Sequence, residues 1–540
     1  MSNSLARIAP LAALAAALPL PLRAQCEMAL IQPSGAAGGE EFGAAVAAWQ
    51  DTALIGAPGK GSGVVQVFER TAAGWIFTQE LVGAGVTGAA RFGSAVAVFE
   101  DTAVVGAPND GAFGAGAGSA HVFELTTAGW LQTAVLGAPK AQLGAQFGWS
   151  VSASSQHVAA GAPLDRDPAD GVQRGGAYVF ERSPAGWILD FEFHPPAGTE
   201  PLQQFGAAVA VAGGQLAVGA DRASSTFVHE GLVYSYHLPG SLWVFDQVVS
   251  SPLAEDFAHF GAALSLTADG ERLMVGAPDE GPDDNGNAII FEESADGWKA
   301  SFELGVVGSG RLGSSVAQRV APSSAFAVGA PLTELGGRAY LFQVSSTLNL
   351  SSVPPPEPAF GGNYGSSVAL TASHLLAGAP GADVAGIDSG AVQVFPASIG
   401  LISDPNLYAC PFQISVSGGG VQTLSLFSES AFGTYLLLGS ASGTSPGVPL
   451  PSTVNEILPL NYPDPYLEFT LANPNTHPLA DSLGGFTYEV GLGQRAEASF
   501  SLPPGGDPAL VGLLVHHAFM TPAPPSPLYA SNAVPLQLVP

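Results

Sequence analysis

Basic residues are scarce in this chain. Sixteen lysines and arginines stand against 45 aspartates and glutamates, so the net charge is 16 − 45 = −29. A surface that acidic repels phosphate backbones and anionic lipid, so no nucleic-acid partner is expected; cations or basic partners are favoured. Charged residues are only 11% of the chain, and the first use of the acidic excess is solubility. Cysteine is nearly absent, with Cys26 and Cys410 alone. There is no Cys-x-x-Cys and no HExxH, which removes the usual redox and zinc signatures. No stretch reaches the roughly 18 uninterrupted apolar residues of a spanning helix, so no transmembrane helix is expected.

Glycine and proline are abundant, at 69 and 44 residues. They punctuate regular apolar segments, as turns between short strands do. The N-terminus reads as an export signal: Arg7 is the positive charge, Ile8–Leu22 is apolar and proline-rich, and Ala24 is the small residue before a cleavage point. Residues 1–24 are therefore expected to be a signal peptide and the protein to be secreted or at the cell surface. In an exported chain two cysteines suggest a disulfide rather than a redox or metal site.

The stretch "FGSAVAVFEDTAVVGAP" (Phe92–Pro108) recurs along the chain. An FG-type start stands at Phe42, Phe92, Phe147, Phe205 and Phe260, and degenerates to Leu312-Gly and Tyr364-Gly. The spacings are 50, 55, 58, 55, 52 and 52 residues. A GAP-type element follows each at Gly56, Gly106, Gly161, Gly219, Gly276, Gly329 and Gly378, with Asp221 in place of proline in the fourth copy. A period of that length implies a radial or stacked array. Each unit holds four strand-like segments. One begins at FG, one ends at GAP, one resembles "SAHVFE", and one follows Trp75, Trp130, Trp187, Trp243 or Trp298. Alternation such as Ala95 and Ala97 against Val96 and Val98 has a strand's period. Four strands in seven units predict an all-β chain with a seven-bladed β-propeller over residues 25–400. The small first-strand alanines suit the crowded centre, and the tryptophans suit the wide outer rim.

The seventh unit lacks a fourth strand. "EMALIQP" (27–33) precedes Phe42 as "TQELVGA" precedes Phe92. It is expected to supply the missing strand and close the ring. An antiparallel strand there brings Cys26 near Phe395 and within reach of Cys410. A Cys26–Cys410 bridge would lock the closure, contributing roughly 4–5 kcal/mol on the chain-entropy model. From 401 to 540 the repeat ends, and strand-like segments split by proline and glycine predict a C-terminal β-sandwich, an accessory domain.

With seven copies in register over about residues 27–400, the chain resembles the FG-GAP repeat family, the propeller repeat of integrin α-subunit heads and many secreted bacterial proteins. The resemblance implies a propeller that recognises ligands through its loops. It also implies calcium where a D-x-D-x-D-G loop joins the first and second strands. Here those joints hold Asp101, "ASSQ", "VAGG" and Asp269, and none has the required oxygen set. Calcium is thus a possible cofactor on other grounds only.

Acid gathers instead after GAP: Asp165, Asp167 and Asp170; Asp279, Glu280, Asp283, Asp284 and Asn285; Asp383 and Asp388. These are the ligand-face candidates, with Asp283 and Asn285 as a weak metal pair. Asp, Asn and Gly are also simply good turn formers. One G-x-S-x-G occurs (Gly443–Gly447), but Pro446, Pro449 and Pro451 forbid the helix that a nucleophile elbow needs. No catalytic set emerges. The sequence reads as a non-enzymatic exported recognition or adhesion protein with a protein or glycan ligand. The alternatives are a glycan hydrolase or lyase using the loop carboxylates and a structural envelope protein.

Overall fold

The computed structural model describes residues 29–396, less 36–37, 72–73, 87, 197–198, 282–284, 307–309, 320–323, 333–335, 345–347, 354–361 and 385; it also describes Arg23–Ala24 and strand backbones between 406 and 539. Cys26, residues 1–22 of the expected export signal and the G-x-S-x-G stretch lie outside the described residues, and Cys410 is described only as part of a strand backbone.

Every described element is a β-strand. Blade 1 is Ala45–Trp49, Thr52–Ala57, Val64–Thr71 and Gly74–Leu81, paired antiparallel in that order. Blades 2 to 5 repeat the meander, from Ala95–Phe99 to Gly129–Leu136, Ser150–Ala153 to Gly186–Phe193, Phe205–Ala212 to Val244–Val249 and Ala263–Leu266 to Gly297–Gly305. Blade 6 contains Ser315–Arg319, Ser324–Ala330 and Arg338–Val344. Blade 7 contains Ser367–Leu370, His374–Ala379 and Ala391–Pro396. Its outer strand comes from the other end of the propeller: Ala29–Ile31 pairs antiparallel with Val392–Val394. Ile31 is buried in one cluster with Phe42, Val392 and Val394.

Position in the ring sets the burial of each strand. Second strands such as Thr102–Ala107 are buried at every residue because both faces meet a neighbouring blade. The first strands of blades 2, 3, 5 and 6 are half-buried along their length, and those of blades 4 and 7 are mostly buried. Each lies beside the first strands of the blades before and after it, and Ser367–Leu370 returns to Ala45–Trp49. Fourth strands turn many residues to solvent. Trp130, Trp243 and Trp298 are buried between blades. Gln79 of blade 1 clasps the Trp130 backbone at 2.7 and 2.9 Å, and the Trp243 indole donates to Asp190 of blade 3 at 2.7 Å.

The FG pair does more than begin a strand. Only in blade 4 does the first strand start at FG; in the other six it starts three residues later. In blade 2, Arg91-Phe92-Gly93-Ser94 is a turn closed by Ser94 N donating to Arg91 O at 3.1 Å, and Gly93 takes φ 91°. A side chain there would be strained. Phe92 is fully buried, and its N–H donates to Ser62 O of blade 1 at 2.9 Å. The GAP glycine faces the next FG glycine: a Cβ on Gly106 would lie 1.9 Å from the Gly148 carbonyl oxygen. The same approach recurs round the ring and ends with Gly378 against Gly43. The two motifs are therefore the two halves of one joint between blades.

The chain divides into two compact units, the propeller and a second unit that takes in Ile399–Pro540. Its strands form a sheet around Asn406–Cys410, Gly420–Ser428 and Gly493–Leu502, and another around Thr434–Ser440, Leu514–Thr521 and Val534–Val539. How these sheets pack, and hence the expected sandwich, lies outside the described residues. Among the described residues, no helix is long and apolar enough to cross a membrane.

Candidate functional site: the loop face

Antiparallel order sends the loops after GAP, and those leading to each FG, to the same face of the propeller. The residue before each FG sits there in the left-handed region although none is glycine: Glu41, Arg91, Gln146, Gln204, His259, Arg311 and Asn363, with φ between 52° and 63°. Seven polar side chains thus stand in register where that face meets the first strands. Two ion pairs link members of this ring to neighbours: Arg91 to Glu41 at 2.6 Å, and Arg311 to Asp279 at 2.7 Å.

The same face carries most of the loop hydrophobics left in water. Val82, Phe113, Leu143, Trp149, Leu202, Phe227, Val228, Leu253, Phe257, Leu332 and Ile387 are exposed, with Leu143 at 78% and Ile387 at 76%. In the loops of the opposite face only Leu242 is exposed among the described residues, while Leu125 lies near the end of a third strand. The remaining exposed large hydrophobics lie on fourth strands. The sequence reading missed this asymmetry, because exposure of a loop residue depends on how neighbouring blades pack. The apolar side chains are densest between blades 4 and 5. There Phe257 N donates to Val228 O at 2.7 Å, and the rings of His229 and Phe257 meet edge to face at 5.6 Å. Phe257 is itself left-handed, at φ 64°. A bulky residue held exposed in that region is unusual.

The acidic candidates are mostly committed to their own loops. Asp165 is fully buried, accepts from the Arg166 amide at 2.9 Å, and accepts the Tyr178 hydroxyl. Burial pushes the Asp165 carboxyl up, with those donors opposing. Asp167 caps the Ala169 amide at 2.9 Å, and Asp170 takes both terminal nitrogens of the buried Arg174 at 2.9 Å. Asp279 binds His259 and Arg311; burial opposes its charge, but these two partners hold its pKa below the usual value. Asp383 accepts the Asp388 amide at 2.8 Å. Asp283 and Asp284 lie outside the described residues, while the Asn285 carbonyl accepts Leu312 N at 2.8 Å.

Asp110, Asp165 and Glu280 occupy one position, the second residue after the GAP proline, and all three are buried. In blade 2 the acid reaches His121 through Ser119: Ser119 Oγ donates to Asp110 at 2.7 Å and lies 3.0 Å from His121 Nε2. The serine, not the histidine, is in the middle, and all three groups are buried. That order does not activate a nucleophile. Among the described residues no group of three or more His, Cys, Asp or Glu side chains is arranged to hold a metal.

The FG-GAP repeat family model matches residues 26–68, 75–123 and 130–180. No curated protein matches the chain. Among solved structures, the WD40 repeats of RRP9 align over 70% of this chain and 99% of that one, at 10% identity and a TM-score of 0.42. A protein from Lactobacillus plantarum aligns over 56% and 83%, at 16% identity and a TM-score of 0.39. A putative 6-phosphogluconolactonase from Bacteroides fragilis aligns over 57% and 82%, at 12% and 0.38.

Proposed function

The chain carries FG-GAP repeats folded as a seven-bladed β-propeller, and from that premise we propose that it is an exported recognition or adhesion protein that binds a macromolecular ligand on its loop face. The observation that carries this reading is the asymmetry of exposed loop hydrophobics, eleven in the loops of this face against one, Leu242, in the loops of the opposite face among the described residues. Exposed apolar side chains gathered on one face are the mark of an interaction surface. The net negative charge of the chain favours a partner with basic groups. Export of the mature chain from Gln25, by the apolar segment Ile8–Leu22, belongs to this reading.

A glycan hydrolase or lyase needs two free carboxyls across one cleft. Asp165, Asp167 and Asp170 are instead tied to Tyr178, Arg174 and loop amides. No specific observation favours the enzyme.

The test is a binding screen of the mature chain on arrays of extracellular proteins and of glycans. A hit is then repeated with Leu143→Ser plus Phe257→Ser on the loop face, and with Leu242→Ser on the opposite face. Loss with the first pair only supports the reading. Binding that survives the loop-face pair but fails with Leu242→Ser contradicts it, as does release of a cleaved glycan.

A further inference from the structure

The outer rim of the propeller is apolar over four blades and not over the fifth. Ten large hydrophobic side chains are exposed on the fourth strands of blades 1 to 4, two each in Gly74–Leu81 and Gly129–Leu136 and three each in Gly186–Phe193 and Val244–Val249. The fourth strand of blade 5, Gly297–Gly305, exposes none. It turns Lys299 to solvent, paired with Asp296 at 2.8 Å. An outer strand of this fold therefore has no need to expose apolar side chains, and their presence on neighbouring blades marks a surface meant to be covered.

The six on blades 3 and 4 form one surface. They are Ile188, Leu189, Phe191, Val244, Phe245 and Val248, each 39–50% exposed. The Phe191 ring lies 4.7 Å from that of buried Phe193, Phe193 lies 4.6 Å from Tyr236, and Tyr236 lies 5.7 Å from Phe245. A continuous run of rings thus joins the two exposed phenylalanines across the joint between blades. The Trp243 indole fixes the two strands to each other, donating to Asp190 at 2.7 Å and meeting Phe193 edge to face at 6.2 Å. A surface held in place this way loses little freedom when it is covered.

These two strands carry Asp190, Glu192 and Asp246 and no lysine or arginine. Each acid already has a donor or an imidazole: Asp190 the Trp243 indole, Glu192 the His194 Nε2 at 2.9 Å, and Asp246 the Ser235 hydroxyl at 3.3 Å. Nothing here calls for an opposite charge on a partner. A chain of net charge −29 repels its own copies. Two copies meet most readily where the surface is apolar and its few acids are held. The area agrees. At the exposures above, the six residues leave roughly 500 Å² of mostly apolar surface in water. A stable interface takes about 800 Å² from each partner, about 56–65% of it apolar, or about 450–520 Å².

We propose that a second copy of this chain covers the rim of blades 3 and 4, forming a two-fold dimer. The strand edges do not make the junction. Each strand bulges at its aspartate, Asp190 between Leu189 and Phe191 and Asp246 between Phe245 and Gln247. A bulge with a charge blunts an edge against strand pairing. The copies therefore pack side chain on side chain around Phe191 and Phe245, and use of the same patch by both closes the assembly at two. The loop-face residues Leu143 and Phe257 take no part in it.

The experiment is sedimentation velocity of the mature protein over a dilution series up to about 50 µM, above the weakest affinity usual for an interface of this size. We expect the wild type to sediment as a dimer that dissociates on dilution. Phe191→Ser plus Phe245→Ser should raise the dissociation constant by at least about a hundredfold, since aromatics at the centre of an interface carry most of its free energy. Ile188→Glu places an unpaired charge under the partner and should also release monomers; it serves if the double variant does not fold, as circular dichroism will show. Leu143→Ser plus Phe257→Ser on the loop face, and Phe77→Ser plus Leu131→Ser on the rim of blades 1 and 2, should leave the dimer intact. A wild type that is monomeric throughout overturns the proposal and leaves the rim to a different partner. A dimer that persists in the folded rim variants, a dimer lost in either control pair, or assembly that grows beyond two copies overturns it as well.

Discussion

Replacing a GAP glycine by alanine should open the ring at one joint. In Gly106→Ala the new Cβ would lie 1.9 Å from the Gly148 carbonyl oxygen, where an ordinary contact needs at least 3.4 Å. The blades must separate locally by 3.4 − 1.9 = 1.5 Å, and both sides are backbone. Gly106 is held by the Gly93 amide at 3.0 Å and Gly148 by its own bond to Gly161 at 2.9 Å, so neither side can swing away freely. Overpacking of this kind costs about 2–3 kcal/mol. A stretched hydrogen bond adds about 1 kcal/mol, and the stiffer unfolded chain returns about 0.5–1 kcal/mol. The net loss is about 2–3.5 kcal/mol, which for a domain this large is a midpoint drop of roughly 4–7 °C. Gly111→Ala is the matched control in the same blade, since nothing lies within 4 Å of its added Cβ and its φ is ordinary. It should change stability by less than about 0.5 kcal/mol. Melts of the three proteins by circular dichroism decide the matter. If Gly106→Ala melts with Gly111→Ala, the joint does not work by close glycine contact.

Three further outcomes follow from the buried polar groups and the cysteines. Tyr178→Phe removes the donor to buried Asp165 and should lower stability by about 1–3 kcal/mol at pH 7; Asp165→Asn, which can keep its oxygen on the Arg166 amide and donate its Nδ2 to the Tyr178 oxygen, should lose less, as urea midpoints will show. Asp279 has a lowered pKa, so its contribution is present above the ordinary value of 3.8 and is lost as pH falls through the folded value. Asp279→Asn should therefore melt below wild type at pH 7, and the gap should close progressively below pH 3.8. If Cys26 and Cys410 are bridged, the denatured, unreduced mature chain shows no free thiol by colorimetric titration; two free thiols would remove the proposed lock.

Much of the propeller was legible because its signals are local and repeated. The FG and GAP spacings count the blades, and the Val/Ala alternation names the strands. The meaning of the motifs was less accessible. Phe92 and Gly93 look like the start of a strand, yet a positive φ at Gly93 makes them a turn, and the partner of Gly106 lies 42 residues on, at Gly148. Distance in sequence also hid the roles of the acids. Asp165 looked available until Tyr178, 13 residues away, was seen to donate to it, and Asp170 until the buried Arg174 claimed it. The exposed apolar loop residues were invisible for the same reason: Leu143 and Phe257 look like core candidates in sequence.

The central claim is that the blades form one ring closed by the N-terminal strand, which holds the loop face rigid. Hydrogen exchange of the mature chain, read at single amides, tests it most directly. The account predicts that protected amides in Ala29–Ile31 exchange as slowly as those of Ala391–Pro396, the strand they pair with. Exchange of Ala29–Ile31 at the rate of an open chain, beside a protected third strand, would contradict it.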